Sequence, residues 1–228
     1  MTYVVDFPAG SGPFPAIVIA PGLRYAMHRE LFSLLADKAV AAGFAVGRFN
    51  WRFYESDPLA GQPSSALQDE LQQLKEVIGQ LRAESRVLPA QVHVVGKSFG
   101  SIIAWQALRD DAELKSGVLI TPLFDEMQDG KLCDVSATHY PGLLAETRPL
   151  QIVCGDNDPH CTVASLHRIM DQAAANLTLR LLRGDHLLQI HTPDMQLLPH
   201  ASAENLALAA DAVVQFLLSQ HSICSISN

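Results

Sequence analysis

The stretch Val92-His93-Val94-Val95-Gly96-Lys97-Ser98-Phe99-Gly100-Ser101-Ile102-Ile103-Ala104-Trp105-Gln106-Ala107-Leu108 decides the fold of this chain. Val92–Val95 is a β-branched apolar run and reads as a strand. Ser101–Leu108 has the composition and apolar spacing of a helix. Between them, Gly96-Lys97-Ser98-Phe99-Gly100 is a G-x-S-x-G element. Three fixed positions in five recur by chance, so the flanks carry the weight. A strand before and a helix after is the setting in which this motif forms a sharp, strained turn. Such a turn needs very small residues on either side, which Gly96 and Gly100 supply. Ser98 then projects its hydroxyl above the sheet edge, at the positive end of the following helix. The bland alternative is a glycine-bracketed turn that only packs closely. The strand and helix around it favour a nucleophile.

Outward from this stretch, short β-rich runs alternate with longer helical patterns. Tyr3–Asp6, Ala16–Ala20, Ala45–Phe49, Gly117–Ile120, Leu150–Cys154 and Leu177–Leu182 join Val92–Val95 as strands. The central ones are nearly continuous apolar runs, as in parallel strands covered on both faces. Helical spacing links Leu31, Leu34, Leu35, Lys38 and Ala39, and also Leu67, Leu71, Leu74, Ile78 and Leu81. Val163–Ala174 and Glu204–Leu218 complete the set. The alternation predicts a mostly parallel, doubly wound α/β sheet flanked by helices. Pro122–Arg148 is the one long connection, with the mix Phe124, His139 and Tyr140 expected to form a small flap. Gln189–Ala203 is a shorter excursion. No repeat, low-complexity tract or composition shift divides the chain, so residues 1–228 read as one domain.

With 228 residues, 48% of them hydrophobic and 18% charged, the chain can fill a core. That composition excludes a disordered tail or a collagen-like fibre. The net charge of −8 and the scattered basic residues argue against nucleic acid and anionic membranes as partners. The denser basic spots are Arg24, His28 and Arg29, and Arg48 and Arg52. No apolar run approaches the ~18–20 residues that span a bilayer. Met1–Asp6 does not start a secretory signal. Cys133, Cys154, Cys161 and Cys224 have spacings that suit neither zinc nor a disulfide framework. Cys154 reads as a small buried hydrophobe. A cytoplasmic protein is the expectation.

A serine hydroxyl needs a base. Of nine histidines, His93 lies within a strand, and His28, His167 and His221 lie in helical or terminal segments. His186 differs. It sits in Arg183-Gly184-Asp185-His186, just after the last strand, at the sheet edge where Ser98 emerges and where ligands bind in this architecture. His191 and His200 are weaker rivals. The base in turn needs an acceptor that sets its tautomer. Gly155-Asp156-Asn157-Asp158-Pro159 follows its own strand at the same edge, and both aspartates qualify. Either one could instead cap the helix near Val163. Ser, Asp and His appear in that chain order, each just after a strand.

On these residues the chain resembles the α/β-hydrolase superfamily over nearly its whole length. The elbow Gly96–Gly100, the Gly155-x-x-Asp158 loop and the Gly184-x-His186 loop carry the likeness. Arg48-Phe49-Asn50 at a strand end, ahead of the elbow, looks most like the small, largely lidless dienelactone-hydrolase-like group. The resemblance implies Ser98 as nucleophile, Asp158 as acid and His186 as base. It also implies an oxyanion hole of two backbone amides, those of Phe99 and Leu23, the latter in Ala20-Pro21-Gly22-Leu23. Pro21 stands where relatives carry histidine. Arg24 and Tyr25 replace a glycine-rich tail and are candidate substrate contacts. Ser98 itself departs from dienelactone hydrolases proper, which use cysteine. The opening antiparallel strands are reduced, and no full cap domain is expected, so the site should be shallow and open.

The function expected is a serine hydrolase of esterase or thioesterase type, acting on a small acyl substrate through an acyl-enzyme, with no metal and no cofactor. The competing reading is a catalytically silent interaction module on the same fold. A third, nucleotide binding, lacks its motif. Gly96-Lys97-Ser98 suggests a P-loop, but position 91, where the first glycine belongs, is Gln91.

Overall fold

The computed structural model describes residues 1–174 and 176–224, and the side chains as far as residue 220. The side chains of His221 and Cys224 therefore lie outside the described residues. In chain order the elements are β1 (Tyr3–Asp6), β2 (Phe14–Ala20), α1 (Glu30–Ala41), β3 (Ala45–Phe49), α2 (Arg52–Ser56), α3 (Gln68–Ala83), β4 (Val87–Lys97) and α4 (Phe99–Asp110). Then follow β5 (Gly117–Ile120), β6 (Asp125–Gln128), β7 (Lys131–Asp134), α5 (Ser136–His139), a 3₁₀ turn at Leu143–Ala145, β8 (Leu150–Gly155), α6 (Val163–Gln172), β9 (Leu177–Leu182) and α7 (Pro199–Cys224).

Seven strands form one sheet in the order β1-β3-β2-β4-β5-β8-β9. β1 runs antiparallel to β3, and every other pairing is parallel. The expected architecture is therefore the observed one. Side-chain alternation divides the core in two. On β2, Val18 and Ala20 face α3 and α4, while Ile17 and Ile19 face α1 and α7. All four are at most 1% exposed, which is why the central strands read as unbroken apolar runs.

Three findings differ from the expectation. β4 begins at Val87, five residues before the apolar run, because Phe14 pairs with Val87 across an irregularity in register. The Pro122–Arg148 connection is ordered: β6 and β7 form a hairpin, and α5 and the 3₁₀ turn follow. Asp125 anchors its base, accepting from the Thr162 amide at 2.8 Å and the Ser165 hydroxyl at 2.6 Å. Buried Tyr140 bonds Ser101 on α4 at 2.7 Å. Met127 and Leu132 at the hairpin tip are exposed. Third, Pro199–Gln220 of α7 is long and apolar enough to cross a membrane by length and composition. Its alanines and leucines carry only scattered charges, and more than half of it is buried, with contacts to α1, β8 and β9.

Candidate active site

The elbow is built by the two glycines. A Cβ on Gly96 would lie 2.4 Å from the Gly100 carbonyl oxygen and 2.6 Å from Ala104 Cβ. One on Gly100 would lie 2.3 Å from the Ala20 carbonyl oxygen and 2.4 Å from that of Pro21. The strand and helix thus approach more closely than any side chain permits. Ser98, between them, has φ 52° and ψ −123°, a conformation that L-residues rarely adopt. It is held there by its amide, which donates to the Ile120 carbonyl at 2.9 Å. Gly100→Ala should therefore destabilise the fold by at least about 1–3 kcal/mol. Gly79→Ala, in the middle of α3 with open space around it, should stabilise it by about 0.5–1 kcal/mol. Urea denaturation of both variants checks the contrast.

The base loop is positioned by tertiary bonds. Gly184, at φ 125°, donates its amide to Asp156 Oδ1 at 3.0 Å, and its carbonyl accepts from the Asn157 amide at 2.9 Å. Asp185 Oδ1 accepts from the amides of Leu187 and Gln189, and Asn205 on α7 donates to the Leu188 carbonyl at 2.8 Å. His186 is thereby set over the elbow. Its Nε2 lies 2.8 Å from Ser98 Oγ. Its Nδ1 lies 2.9 Å from Asp158 Oδ2 and 3.0 Å from Oδ1. The Asp158 side chain is fully buried and also accepts from the His160 amide at 2.8 Å. The structure thus brings Ser98, His186 and Asp158 into one hydrogen-bonded line at the carboxyl edge of the sheet.

Burial pushes the His186 imidazole below its ordinary pKa of 6.5. The hydrogen bond that His186 donates to Asp158 opposes that shift, and the Lys97 charge adds to it. Asp156, two residues from Asp158, is exposed and serves as the staple to Gly184. Neither aspartate caps α6: Thr162 does, its side chain accepting from the Ser165 amide. Of the other histidines, His160 packs edge-on against the His186 ring with centroids 4.9 Å apart, and the rival candidates lie away from Ser98. His93 is buried against Ser116 at 2.7 Å, His191 sits 3.7 Å from Asp185, and His200 is exposed beside Glu204.

The segment Ala20–Tyr25 passes directly over the elbow. Gly22 allows this, since a Cβ there would meet the Lys97 carbonyl oxygen at 3.2 Å and Ser98 Cβ at 3.4 Å. Trp51 fixes the segment from beneath, donating its indole N–H to the Pro21 carbonyl at 2.8 Å. Phe99 packs against Trp51 and Phe53 with ring centroids 5.9 and 5.8 Å away. The Leu23 amide donates to no protein acceptor among the described residues. Leu23, Arg24, Tyr25, Arg29 and Leu187 line a cleft of about 330 Å³. A larger cavity of about 440 Å³ lies behind the base loop, against Asp156, Gly184 and His191, and contains neither Ser98 nor His186. Arg52 is spoken for by Glu76 at 2.8 Å. Among the described residues no three His, Cys, Asp or Glu side chains gather as metal ligands.

One buried group escaped the sequence reading. Lys97 is 1% exposed and touches the His186 carbonyl, whereas the sequence offers it only as the variable position of the elbow and as the lysine of a P-loop that Gln91 excludes. Its place at the end of the doubly covered run Val92–Gly96 was the available signal.

Residues 14–218 match the profile of the α/β hydrolase domain family. Solved structures share the fold. Est1E from Butyrivibrio proteoclasticus, bound to ferulic acid, superposes with a TM-score of 0.72 at 16% identity, over 97% of this chain and 95% of that one. A serine hydrolase homologue from Coxiella burnetii gives 0.67 at 17% identity, over 92% and 90%. A lidless α/β serine hydrolase from Xanthomonas campestris gives 0.62 at 18% identity, over 93% and 87%. No curated protein sequence matches this chain. The profile match covers most of the chain, and the sheet order and elbow agree with it: the chain belongs to the α/β hydrolase domain family.

Proposed function

We propose that the protein is a serine hydrolase of esterase or thioesterase type that cleaves a small acyl substrate. The observation that carries this reading is the unbroken line Ser98 Oγ, His186 Nε2, His186 Nδ1, Asp158, with each step at 3.0 Å or less. Ser98 Oγ attacks the acyl carbonyl carbon while its proton passes to His186 Nε2. The carbonyl π electrons move to oxygen, and the amides of Phe99 and Leu23 donate to that oxyanion. Collapse re-forms the carbonyl and breaks the bond to the leaving alkoxide or thiolate, which takes the proton from His186. Water repeats the sequence on the acyl-enzyme and releases the acid. Asp158 stabilises the transient imidazolium and holds Nδ1 protonated. Losing one oxyanion donor costs about 3–4 kcal/mol in comparable sites. No metal or organic cofactor takes part in this sequence.

The test is a fluorophosphonate probe together with a panel of p-nitrophenyl esters and acyl thioesters. Labelling at Ser98 with turnover of at least one substrate supports the proposal. A folded protein that takes no probe and turns over no substrate overturns it in favour of the silent module.

The pH dependence follows from the base. Only neutral His186 accepts the serine proton, so activity is lost as pH falls through its pKa. Burial lowers that pKa below 6.5. The kcat/KM profile should therefore be flat at neutral pH, with its acidic limb below pH 6.5. A limb centred above that value would contradict the buried, neutral base.

A further inference from the structure

Lys97 is a lysine sealed in the interior beside the candidate nucleophile. β4 alternates, so His93, Val95 and Lys97 point to the α1 and α7 face of the sheet. A buried ammonium is costly unless it finds partners, and Lys97 has two hydrogen-bond acceptors and an aromatic face. Nζ donates to Thr121 Oγ1 and to the His186 carbonyl oxygen, both at 3.1 Å. It also lies over the Tyr25 ring, 5.0 Å from the centroid, at cation–π distance. Those partners come from three separate segments. Thr121 directly follows β5, His186 belongs to the base loop, and Tyr25 follows the Leu23 amide.

We propose that Lys97 is a positioning residue for the Ser98–His186 pair. Its ammonium ties the base loop to β5 and to the Ala20–Tyr25 segment, and its charge keeps the His186 imidazole neutral and ready to accept a proton. The inference rests on His186 being the base. A charge-assisted bond to a carbonyl is roughly twice as strong as a neutral one, so the tether depends on the lysine staying protonated. Burial pushes its pKa down to about 8, against the pull of Asp158, Asp185 and Cys154. Asp158, His160 and Lys97 are the groups that bear on His186, while Arg29 and Glu30 bear on Tyr25. The tether therefore weakens as pH rises through about 8, and activity should decline there.

Lys97→Met keeps the length of the side chain and removes its charge and its donors. We expect kcat to fall by up to about 100-fold, the scale of a small misplacement of reacting groups, with KM much less affected. NMR titration should show His186 taking up its proton at higher pH than in the wild type. Lys97→Gln, which still carries a donor, should shift His186 in the same direction but lose less kcat. If His186 titrates identically in wild type and Lys97→Met, the proposal is overturned. Should Lys97→Met fail to fold, Thr121→Val decides. It removes one partner of the ammonium, so the Lys97 side-chain carbon signal should titrate at lower pH than in the wild type, and an unchanged titration overturns the proposal. The NMR readings need no substrate, so a wild type that hydrolyses nothing sinks the proposed activity alone.

Discussion

Ser98→Ala is expected to give a folded protein that no longer takes a serine-directed probe and whose ester turnover is lower by about 10⁶-fold. The bonds that shape the elbow are backbone bonds and survive the change. The Ser98 amide still donates to Ile120, and its carbonyl still accepts from the Ser101 amide. Alanine has the same Cβ, so the strain at φ 52° is unchanged. The single side-chain bond lost is the 2.8 Å contact to His186 Nε2. Circular dichroism and urea denaturation should be close to wild type. Residual turnover would come from the oxyanion donors and substrate binding alone. A variant that folds, keeps more than a small fraction of the activity and still takes the probe would place the nucleophile at another residue.

Asp158→Asn should reduce turnover by roughly 10⁴-fold, and Asp156→Asn by no more than a few-fold. The Asp158 carboxylate receives His186 Nδ1–H through both oxygens and also accepts the His160 amide. An amide there turns one acceptor into a donor. The imidazole then keeps its hydrogen on Nε2, which can no longer take the Ser98 proton. Asp156 meets Gly184 through one oxygen, 3.0 Å from the amide nitrogen, and asparagine retains a carbonyl oxygen for that bond. Its stability change should stay within about 0.5 kcal/mol, as at most surface sites. Rates of both variants on one activated ester settle the comparison. An inactive Asp156→Asn beside a near-normal Asp158→Asn would move the acid to Asp156.

Much of the frame was legible in the residues. β3, β5 and β9 have the bounds that the apolar runs predict. β5 is buried throughout and β3 nearly so, and a strand covered on both faces must be apolar; β9, at the sheet edge, instead shows the alternation of a half-buried strand. The glycines of the elbow were legible because a tight strand-to-helix turn leaves no room for side chains: a Cβ built at Gly96 or Gly100 would lie as close as 2.4 and 2.3 Å to a carbonyl oxygen. The hairpin β6–β7 was not legible. Asp125-Glu126-Met127-Gln128 and Lys131-Leu132-Cys133-Asp134 have no buried face to impose alternation, and Asp125 is held by residues far along the chain. α2, five residues long, is too short for a helical period to register.

The sequence by itself determined the alternation of strands and helices, the strained turn at Ser98 and the chain order of the serine, the acidic loop and the histidine. These depend on local conformation and on burial along a single element. The residues alone left Asp156 and Asp158 open, and the family likeness favoured Asp158. Geometrically that choice belongs to the tertiary structure, because two residues in one turn point differently and only the packed base loop shows which carboxylate faces His186 Nδ1. The structure alone also shows what surrounds Lys97. Nothing in its neighbours along the chain shows that Thr121, His186 and Tyr25 converge on its ammonium, because those contacts join segments that only the assembled sheet brings together.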